Sequence, residues 1–420
     1  MTGRRATAAL AAAGLAALAG CGAASSATSA GVAGAGGAGG SGAAAGGRLP
    51  LATAVKTGTA TWATLAVGAL HDPANTFWVL LERAHGSAAW VDQTQGTDTA
   101  TNGGVLESVA RADATAGGGT AGGATTGAGP HLLVAVAPSQ LLAFSPVVTS
   151  GPVAPDGTTS FTAAGPAPGL QASAAALAAR GAGAVGVAAA GDRLVASADV
   201  ATGGWSTLAT AAAIGNGSTC GTPVLHAVAV TSGGLLAGGS CPGRGVGLWS
   251  SAGTPGAAWA PVTVALPATD GRAADVAWAA PDPVGSGPGG GAVALLVDGP
   301  VVLAAHVGAA GPAQVSPPRP AGALDAVTAT PDGGVAVVTG PAAAPAVARW
   351  SPGSGRWVSL PAPPAGTAVV TVGADGLVTA LAATPLGRPT TVTAWSLAPG
   401  ASQWQRGQVL DLAVPFGSSG

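Results

Sequence analysis

The sequence contains no tyrosine, a single lysine (Lys56) and few charged residues, which make up 8% of the chain and leave a formal net charge of −2. Because it offers no basic patch, we expect no nucleic-acid partner. Beyond the N-terminus the apolar runs are short and are broken by glycine, proline or charge. No further segment therefore predicts a membrane span.

Catalytic and metal-binding motifs are also missing. The histidines are scattered without the spacing of metal ligands, so we expect them in strands or turns; they are His71, His85, His131, His226 and His306. No G-x-S-x-G sequence occurs, and glycine-rich stretches carry no information on phosphate binding in a chain with 71 glycines. We therefore predict no catalytic residue, no metal site and no cofactor.

The N-terminus has the organisation of an export signal. Arg4 and Arg5 precede an uncharged, mostly apolar stretch, Ala6–Gly20, which is too short for a membrane span and ends in small residues. The ending Leu18-Ala19-Gly20-Cys21 resembles the lipobox of bacterial lipoproteins. The resemblance implies cleavage before Cys21, a diacylglyceryl thioether on its sulfur and acylation of the new N-terminus. The alternative is an ordinary secretory signal followed by a coincidental cysteine.

The export route and the domain organisation follow from the same region. The segment after the two arginines, Ala6-Thr7-Ala8, lacks the rest of a twin-arginine pattern, which favours the general secretory route. Residues 22–47 are almost wholly Ala, Gly and Ser, a flexible tether with a span of roughly 30 Å. We predict a signal peptide at 1–20, a lipidated cysteine and tether at 21–48, and a folded domain at 49–420. The expected location is the extracytoplasmic face of the cell membrane.

Two further cysteines, Cys220 and Cys241, flank an apparent hairpin between Leu225–Val230 and Leu235–Ala237. An even pair in an exported chain predicts a disulfide. A metal site is the alternative, but the other ligands that it would need are missing nearby.

Internal repetition predicts the fold. Gly247–Ser250, Ala348–Ser351 and Thr393–Ser396 share a tryptophan followed by serine, and each precedes a turn and a second tryptophan. Weaker copies extend the series to seven anchors, which are residues 78, 144, 196, 249, 303, 350 and 395. A period near fifty residues is typical of the blades of a β-propeller. We predict an all-β fold, a seven-bladed propeller (six to eight) of four-stranded antiparallel blades.

One blade is clear enough to divide into strands, Leu324–Ala329, Val335–Val338, Ala346–Trp350 and Arg356–Leu360. Short strands and glycine-containing turns are typical of such arrays. We expect the paired tryptophans to pack between neighbouring blades. The run Gln408–Val414 is apolar enough to close the circle, either as a closing strand or beside the first blade near Thr61–Leu65.

The pattern resembles the kelch repeat. Gly238-Gly239 stands where kelch blades carry a double glycine, and the run Trp350–Trp357 followed by Leu360–Pro363 resembles their third and fourth strands. The kelch tyrosine is absent throughout. Galactose-oxidase-like kelch enzymes and sialidases both depend on tyrosine, so the sequence excludes both activities.

A polar stretch interrupts the repeats. It runs from Asp92 to Asp98 and continues through Glu107, Arg111 and Asp113, within a low-complexity insertion near 93–128. We interpret it as a solvated insertion; the alternative is a loop over one propeller face that contacts a partner.

These observations leave two function classes. The first is a non-catalytic binding or scaffold module for a protein, glycan or envelope component, attached to the membrane through its lipid. The second is a propeller enzyme, a lyase or hydrolase, whose charged residues meet at the mouth of the channel. The sequence favours the first.

Overall fold

The computed structural model describes the chain in segments. They are residues 52–57, 60–68, 76–84, 87–92, 105–112, 131–137, 140–146, 161–166, 172–180, 183–198, 204–266, 275–282, 290–309, 311–383 and 390–412. The signal peptide and tether, including Cys21, lie outside these residues, as do His71 and His85. The described strands all fall within one compact unit of the chain, Ala45–Gly420.

The described strands form seven consecutive four-stranded antiparallel blades. Blade 1 contains β1 (Ala52–Thr57), β2 (Ala60–Gly68), β3 (Thr76–Ala84) and β4 (Val91–Asp92). Blade 2 contains β5 (Val105–Ala112), β6 (His131–Ala137), β7 (Gln140–Pro146) and β8 (Phe161–Pro166). Blade 3 contains β9 (Ala174–Arg180), β10 (Gly183–Ala190), β11 (Arg193–Ser197) and β12 (Trp205–Thr210). Blade 4 contains β13 (Val224–Thr231), β14 (Gly234–Cys241), β15 (Gly245–Ser251) and β16 (Trp259–Pro261). Blade 5 contains β17 (Asp275–Pro281), β18 (Ala292–Asp298), β19 (Val301–Val307) and β20 (Gln314–Val315). In blade 5 a short extra strand, β21 (Arg319–Pro320), also pairs with β19. Blade 6 contains β22 (Leu324–Ala329), β23 (Val335–Thr339), β24 (Ala346–Trp350) and β25 (Trp357–Ser359). Blade 7 contains β26 (Thr367–Val372), β27 (Val378–Ala383), β28 (Thr390–Leu397) and β29 (Gln405–Leu412).

The blades form a ring. The first strands of neighbouring blades contact one another, which places them around the centre, and blade 1 contacts blade 7. The protein is therefore a β-propeller, as the repeat predicts. All seven sequence anchors fall in the third strands of their blades. The predicted strands of blade 6 agree with β22 to β25 to within one residue at each end.

Two features of the sheets were not predicted. β1 pairs in parallel with β22, so blades 1 and 6 share one eight-stranded sheet. A short helix, α1 (Ala211–Gly215), follows β12, and the Thr210 hydroxyl caps it by accepting a hydrogen bond from the Ala213 amide.

The C-terminal strand corrects a detail of the predicted closure. β29 pairs with β28 and so is the regular fourth strand of blade 7. The hypothesis that this run pairs beside Thr61–Leu65 is wrong, because β2 lies between β1 and β3 in blade 1.

The core consists of apolar layers between neighbouring blades. Trp249 lies between blades 3 and 4, and Trp278 and Trp350 lie between blades 5 and 6. Trp357, partly buried beside them, donates its indole N–H to the Pro317 carbonyl (2.8 Å), and Trp404 likewise donates to the Pro361 carbonyl (3.1 Å). In both cases the tryptophan at the beginning of the fourth strand, Trp357 in β25 and Trp404 just before β29, is bonded to the preceding blade. The predicted packing of the paired tryptophans between blades is confirmed for Trp249, Trp350, Trp357 and Trp404.

Cys220 and Cys241 form the predicted disulfide, with their Cα atoms 4.9 Å apart. They flank the β13–β14 hairpin. The double glycine of the same hairpin has a packing reason. A Cβ atom on Gly238 would come within 2.8 Å of Val276 in the next blade, and one on Gly239 would collide with the Val224 carbonyl of β13. Glycine therefore allows blades 4 and 5 to approach closely at this point.

Candidate functional site

The inner strands share a local irregularity near their beginnings. Five of the described first strands carry a register shift of one residue, a β-bulge, at an equivalent place; they are β5, β13, β17, β22 and β26. The extra residues in these strands are Glu107, His226, Ala277, Asp325 and Ala368. Bulges are common near functional sites, because they change where one side chain is aimed. Three ionisable residues that are distant in sequence thus occupy one level of the ring.

His226 is the centre of a small polar cluster between blades 4 and 5. Its Nε2 lies 3.2 Å from the Ser240 hydroxyl and 3.6 Å from the Asp275 carboxylate. Burial raises the pKa of Asp275, while the charge of His226 and the amide of Val276 act in the opposite direction. A hydrolytic triad needs the serine and the carboxylate on different ring nitrogens. Here both face Nε2, so the cluster does not have the geometry of a triad.

A second cluster lies at the other end of β17. His306 Nε2 is 3.2 Å from the Asp282 carboxylate, and both side chains lie beside Gly333 in the β22–β23 turn. In the same turn, Asp332 accepts hydrogen bonds from the Thr330 hydroxyl (2.5 Å) and from Arg349 (2.8 Å). These contacts fasten the turn to its own blade and to blade 5. We therefore assign the second cluster a structural role.

The pKa values of Asp325 and Asp332 are shifted in opposite directions. Burial raises the pKa of Asp325, whereas at Asp332 burial is outweighed by the Thr330 hydroxyl and the Arg349 guanidinium, which hold its pKa below its usual value. The raised pKa means that Asp325 favours folding most below its unfolded pKa and loses that contribution as pH rises through the folded pKa. The lowered pKa of Asp332 means that its contribution is present above its unfolded pKa and is lost in acid.

This contrast gives a prediction on stability. At pH 7 we expect Asp325→Asn to raise the melting temperature or leave it unchanged, because an ionised carboxylate is removed from a desolvated site. We expect Asp332→Asn to lower stability by at most about 1 kcal/mol, since the partly exposed ion pair is screened by solvent. Thermal melts from pH 3 to pH 8 test both variants. Equal shifts of the same sign at pH 7 would contradict the assignment.

The described structure contains a cavity of ≈ 400 Å³ at the seam between blades 1 and 7. We call it the seam cavity; its lining includes Arg83, Trp90, Thr379, Trp395, Ser396 and Gln408. The Gln408 side chain accepts a hydrogen bond from the Trp90 amide (2.7 Å) and donates one to the Trp90 carbonyl (2.9 Å). This reciprocal pair joins the last blade to the first and fixes one wall of the cavity.

A second cavity, of ≈ 330 Å³, lies between blades 4 and 5. Its lining consists of small and aliphatic residues with the hydroxyls of Thr231, Ser250 and Ser251, and it includes neither an aromatic nor a charged side chain. Binding sites combine an apolar surface with a few convergent polar groups. The seam cavity has both, and is therefore the better candidate.

The residues singled out in the sequence are only partly brought together. His131, His226 and His306 lie in strands, as expected, and His226 reaches the Asp275 carboxylate of the neighbouring blade. Asp92 belongs to strand β4, and Glu107 and Arg111 belong to strand β5, so for these three residues both the solvated insertion and the alternative of a loop are wrong. The rest of the stretch, 93–104 and Asp113, lies outside the described residues. No group of three or more potential metal-ligating side chains occurs within the described segments.

The seam residues were not predicted as a site. Trp90, Arg83 and Gln408 belong to no sequence motif that marks a binding site. Their partners lie at the far end of the chain, so the ring must close before the site exists. Within the part of the chain that the structure covers, no helix is long and apolar enough to span a bilayer.

Comparisons with known proteins add little to the class defined by the sheets, a β-propeller. No family model and no curated protein matches the chain. Among solved structures, it is similar to a mutant puromycin hydrolase complexed with PGG (14% identity, TM-score 0.42), covering 89% of this chain and 55% of that one. It is also similar to the Dos1 propeller (10% identity, TM-score 0.41), covering 74% of this chain and 85% of that one. The chain thus spans only about half the length of the puromycin hydrolase.

Proposed function

We propose that this protein is a bacterial lipoprotein whose propeller is held at the extracytoplasmic face of the cell membrane by lipid on Cys21. The proposal is supported by the Leu18–Cys21 ending and by the Ala/Gly/Ser tether after it. The Cys220–Cys241 disulfide agrees with it, because such bonds persist in oxidising, extracytoplasmic compartments. Two acyl groups would suffice for stable anchoring.

The anchor predicts a change of location. In Cys21→Ser, the protein is expected to leave the membrane fraction, either released into the medium or retained as an uncleaved precursor. The physical reason is that serine has no thiol to carry the lipid. Fractionation and the mass of the mature N-terminus measure this, with Cys220→Ser/Cys241→Ser as a control that keeps Cys21. If Cys21→Ser were processed normally and stayed in the membrane fraction, the proposed lipid anchor would be wrong.

We propose further that the propeller is a binding module for an envelope component, protein or glycan, and that the seam cavity is its site. The observation that carries this proposal is the combination of volume and lining. A cavity of ≈ 400 Å³ with two tryptophans, a guanidinium and hydroxyl groups has the size and composition of small-ligand sites. The His226 cluster, with both partners on Nε2, gives less support to a hydrolase.

The experiment compares two exposed alanines at the two cavities. Ala88 lies at the seam cavity and Ala258 at the other one, so that tryptophan at either position fills one cavity and spares the other. Lipidated wild-type protein is immobilised and exposed to detergent-solubilised envelope from the same bacterium. We expect a component that wild type and Ala258→Trp retain and Ala88→Trp does not. Equal retention by all three would contradict the site, and chemical conversion of the component would favour the enzyme alternative.

A further inference from the structure

Arg83 is held in place from two sides. It extends from β3 of blade 1, with its guanidinium 5.1 Å from the centre of the Trp90 ring. Its Nη1 donates a hydrogen bond of 3.0 Å to the Thr379 hydroxyl of blade 7. The cation–π contact with Trp90 and the directed hydrogen bond to Thr379 together restrict the position of the guanidinium. The side chain is thus oriented before any ligand arrives.

The charge of Arg83 is only partly compensated. Burial lowers its pKa, and the exposed carboxylate of Asp375 acts in the opposite direction through space. None of the ion pairs within the described residues includes Arg83. An arginine has five N–H donors and stays charged at any physiological pH. The half-buried guanidinium of Arg83 therefore lines the cavity with N–H donors available for a ligand. An anion is the kind of group that would balance its charge and accept these hydrogen bonds.

The remaining walls narrow the class of anion. Trp395, half-buried, presents an aromatic surface, and Thr379 and Ser396 contribute hydroxyl groups. An extended peptide would need free backbone groups to pair with. At this wall the amide and the carbonyl of Trp90 are both bonded to Gln408. The lining therefore favours a compact ring that carries hydroxyl groups and one carboxylate.

We propose that the seam cavity binds the carboxylate-bearing sugar of an acidic glycan, a uronic acid. Its carboxylate pairs with Arg83, the C–H face of its pyranose ring packs against Trp395, and its hydroxyl groups meet Thr379 and Ser396. Planar pairing of guanidinium and carboxylate is the arrangement that arginine serves best. This inference rests on the proposed binding role of the same cavity and names its ligand class.

The test uses D-glucuronic acid as the probe, with full-length protein and ligand-observed NMR or calorimetry. Wild type is expected to bind glucuronic acid saturably, and glucose at least tenfold more weakly. Arg83→Gln should lose about tenfold or more in affinity, as expected when a charge-assisted bond is removed. Arg83→Lys should fall between, because lysine keeps the charge without the planar pair. Asp375→Asn should bind more tightly, since it removes the neighbouring negative charge.

Two variants keep the test decisive if Arg83→Gln is poorly folded. Ala88→Trp leaves Arg83 in place and should abolish binding, whereas Arg356→Gln removes an exposed arginine on a turn of blade 6 and should bind like wild type. Absence of saturable binding by folded wild type, equal affinity for glucose, or tighter binding of tri-alanine would overturn the inference. The protein could fail to bind glucuronic acid and still retain an envelope component that Ala88→Trp does not retain. That result would refute the proposed ligand class but would leave the proposed binding function in place.

Discussion

Trp350→Ala is expected to destabilise the propeller by about 3–5 kcal/mol, the usual cost of truncating a large buried aromatic side chain. Trp350 is 1% exposed and lies in the apolar layer between blades 5 and 6. A propeller blade has few apolar neighbours outside its two interfaces, so the cavity left behind cannot readily collapse. Since whole domains are stable by only about 5–15 kcal/mol, this single change removes a large share. Urea titration followed by circular dichroism measures it.

Conservative variants separate packing from hydrogen bonding in the same layer. Among the described residues the buried indole N–H of Trp350 has no hydrogen-bond partner, so Trp350→Phe should cost much less than Trp350→Ala. Trp357 instead donates to the Pro317 carbonyl, and Trp357→Phe should lose about 1 kcal/mol through that bond. If Trp357→Ala proved more damaging than Trp350→Ala, the third-strand tryptophan would not be the main packing residue of the interface.

The fold could be predicted because its elements are local. Each blade is built from consecutive strands, so a hairpin such as Val335–Thr339 on Ala346–Trp350 leaves its pattern within a short stretch of sequence. Tryptophan is informative because the chain contains only 11 of them and several recur at the spacing of the blades. The bulges could not be predicted, since one extra residue such as Asp325 leaves no signal in an alternating apolar strand.

The candidate site could not be predicted for the opposite reason. Arg83 and Thr379 are 296 residues apart in sequence, and Trp90 and Gln408 are 318 apart. Neither pair belongs to a motif, and both depend on blade 7 returning to blade 1. The parallel pairing of β1 with β22 is equally non-local, and Ala52, Thr53 and Ala54 contain nothing that specifies it.

The seam also determines what happens when the C-terminus is removed. Deleting residues 406–420 eliminates all but the first residue of β29, and with it Leu410 and Leu412 of the core cluster and the Gln408 clasp on Trp90. Each buried leucine is worth about 2–5 kcal/mol. The outer edge of β28 would in addition be left unpaired, which favours aggregation. We therefore expect the truncated protein to be unfolded or aggregated as a whole, because the total loss approaches the stability of a domain.

Two milder changes show whether the strand and the clasp are responsible. Deleting residues 413–420 retains all of β29 and should melt close to the full-length protein. Gln408→Ala keeps the strand and removes both hydrogen bonds to Trp90, so a loss of about 1–3 kcal/mol is expected, in one cooperative transition that includes every blade. Differential scanning calorimetry and tryptophan fluorescence follow all three proteins. If the protein without residues 406–420 melted like the full-length protein, neither β29 nor the two hydrogen bonds between Gln408 and Trp90 would hold the ring closed. If Gln408→Ala showed a separate early transition, blades 1 and 7 would come apart without unfolding of the other blades.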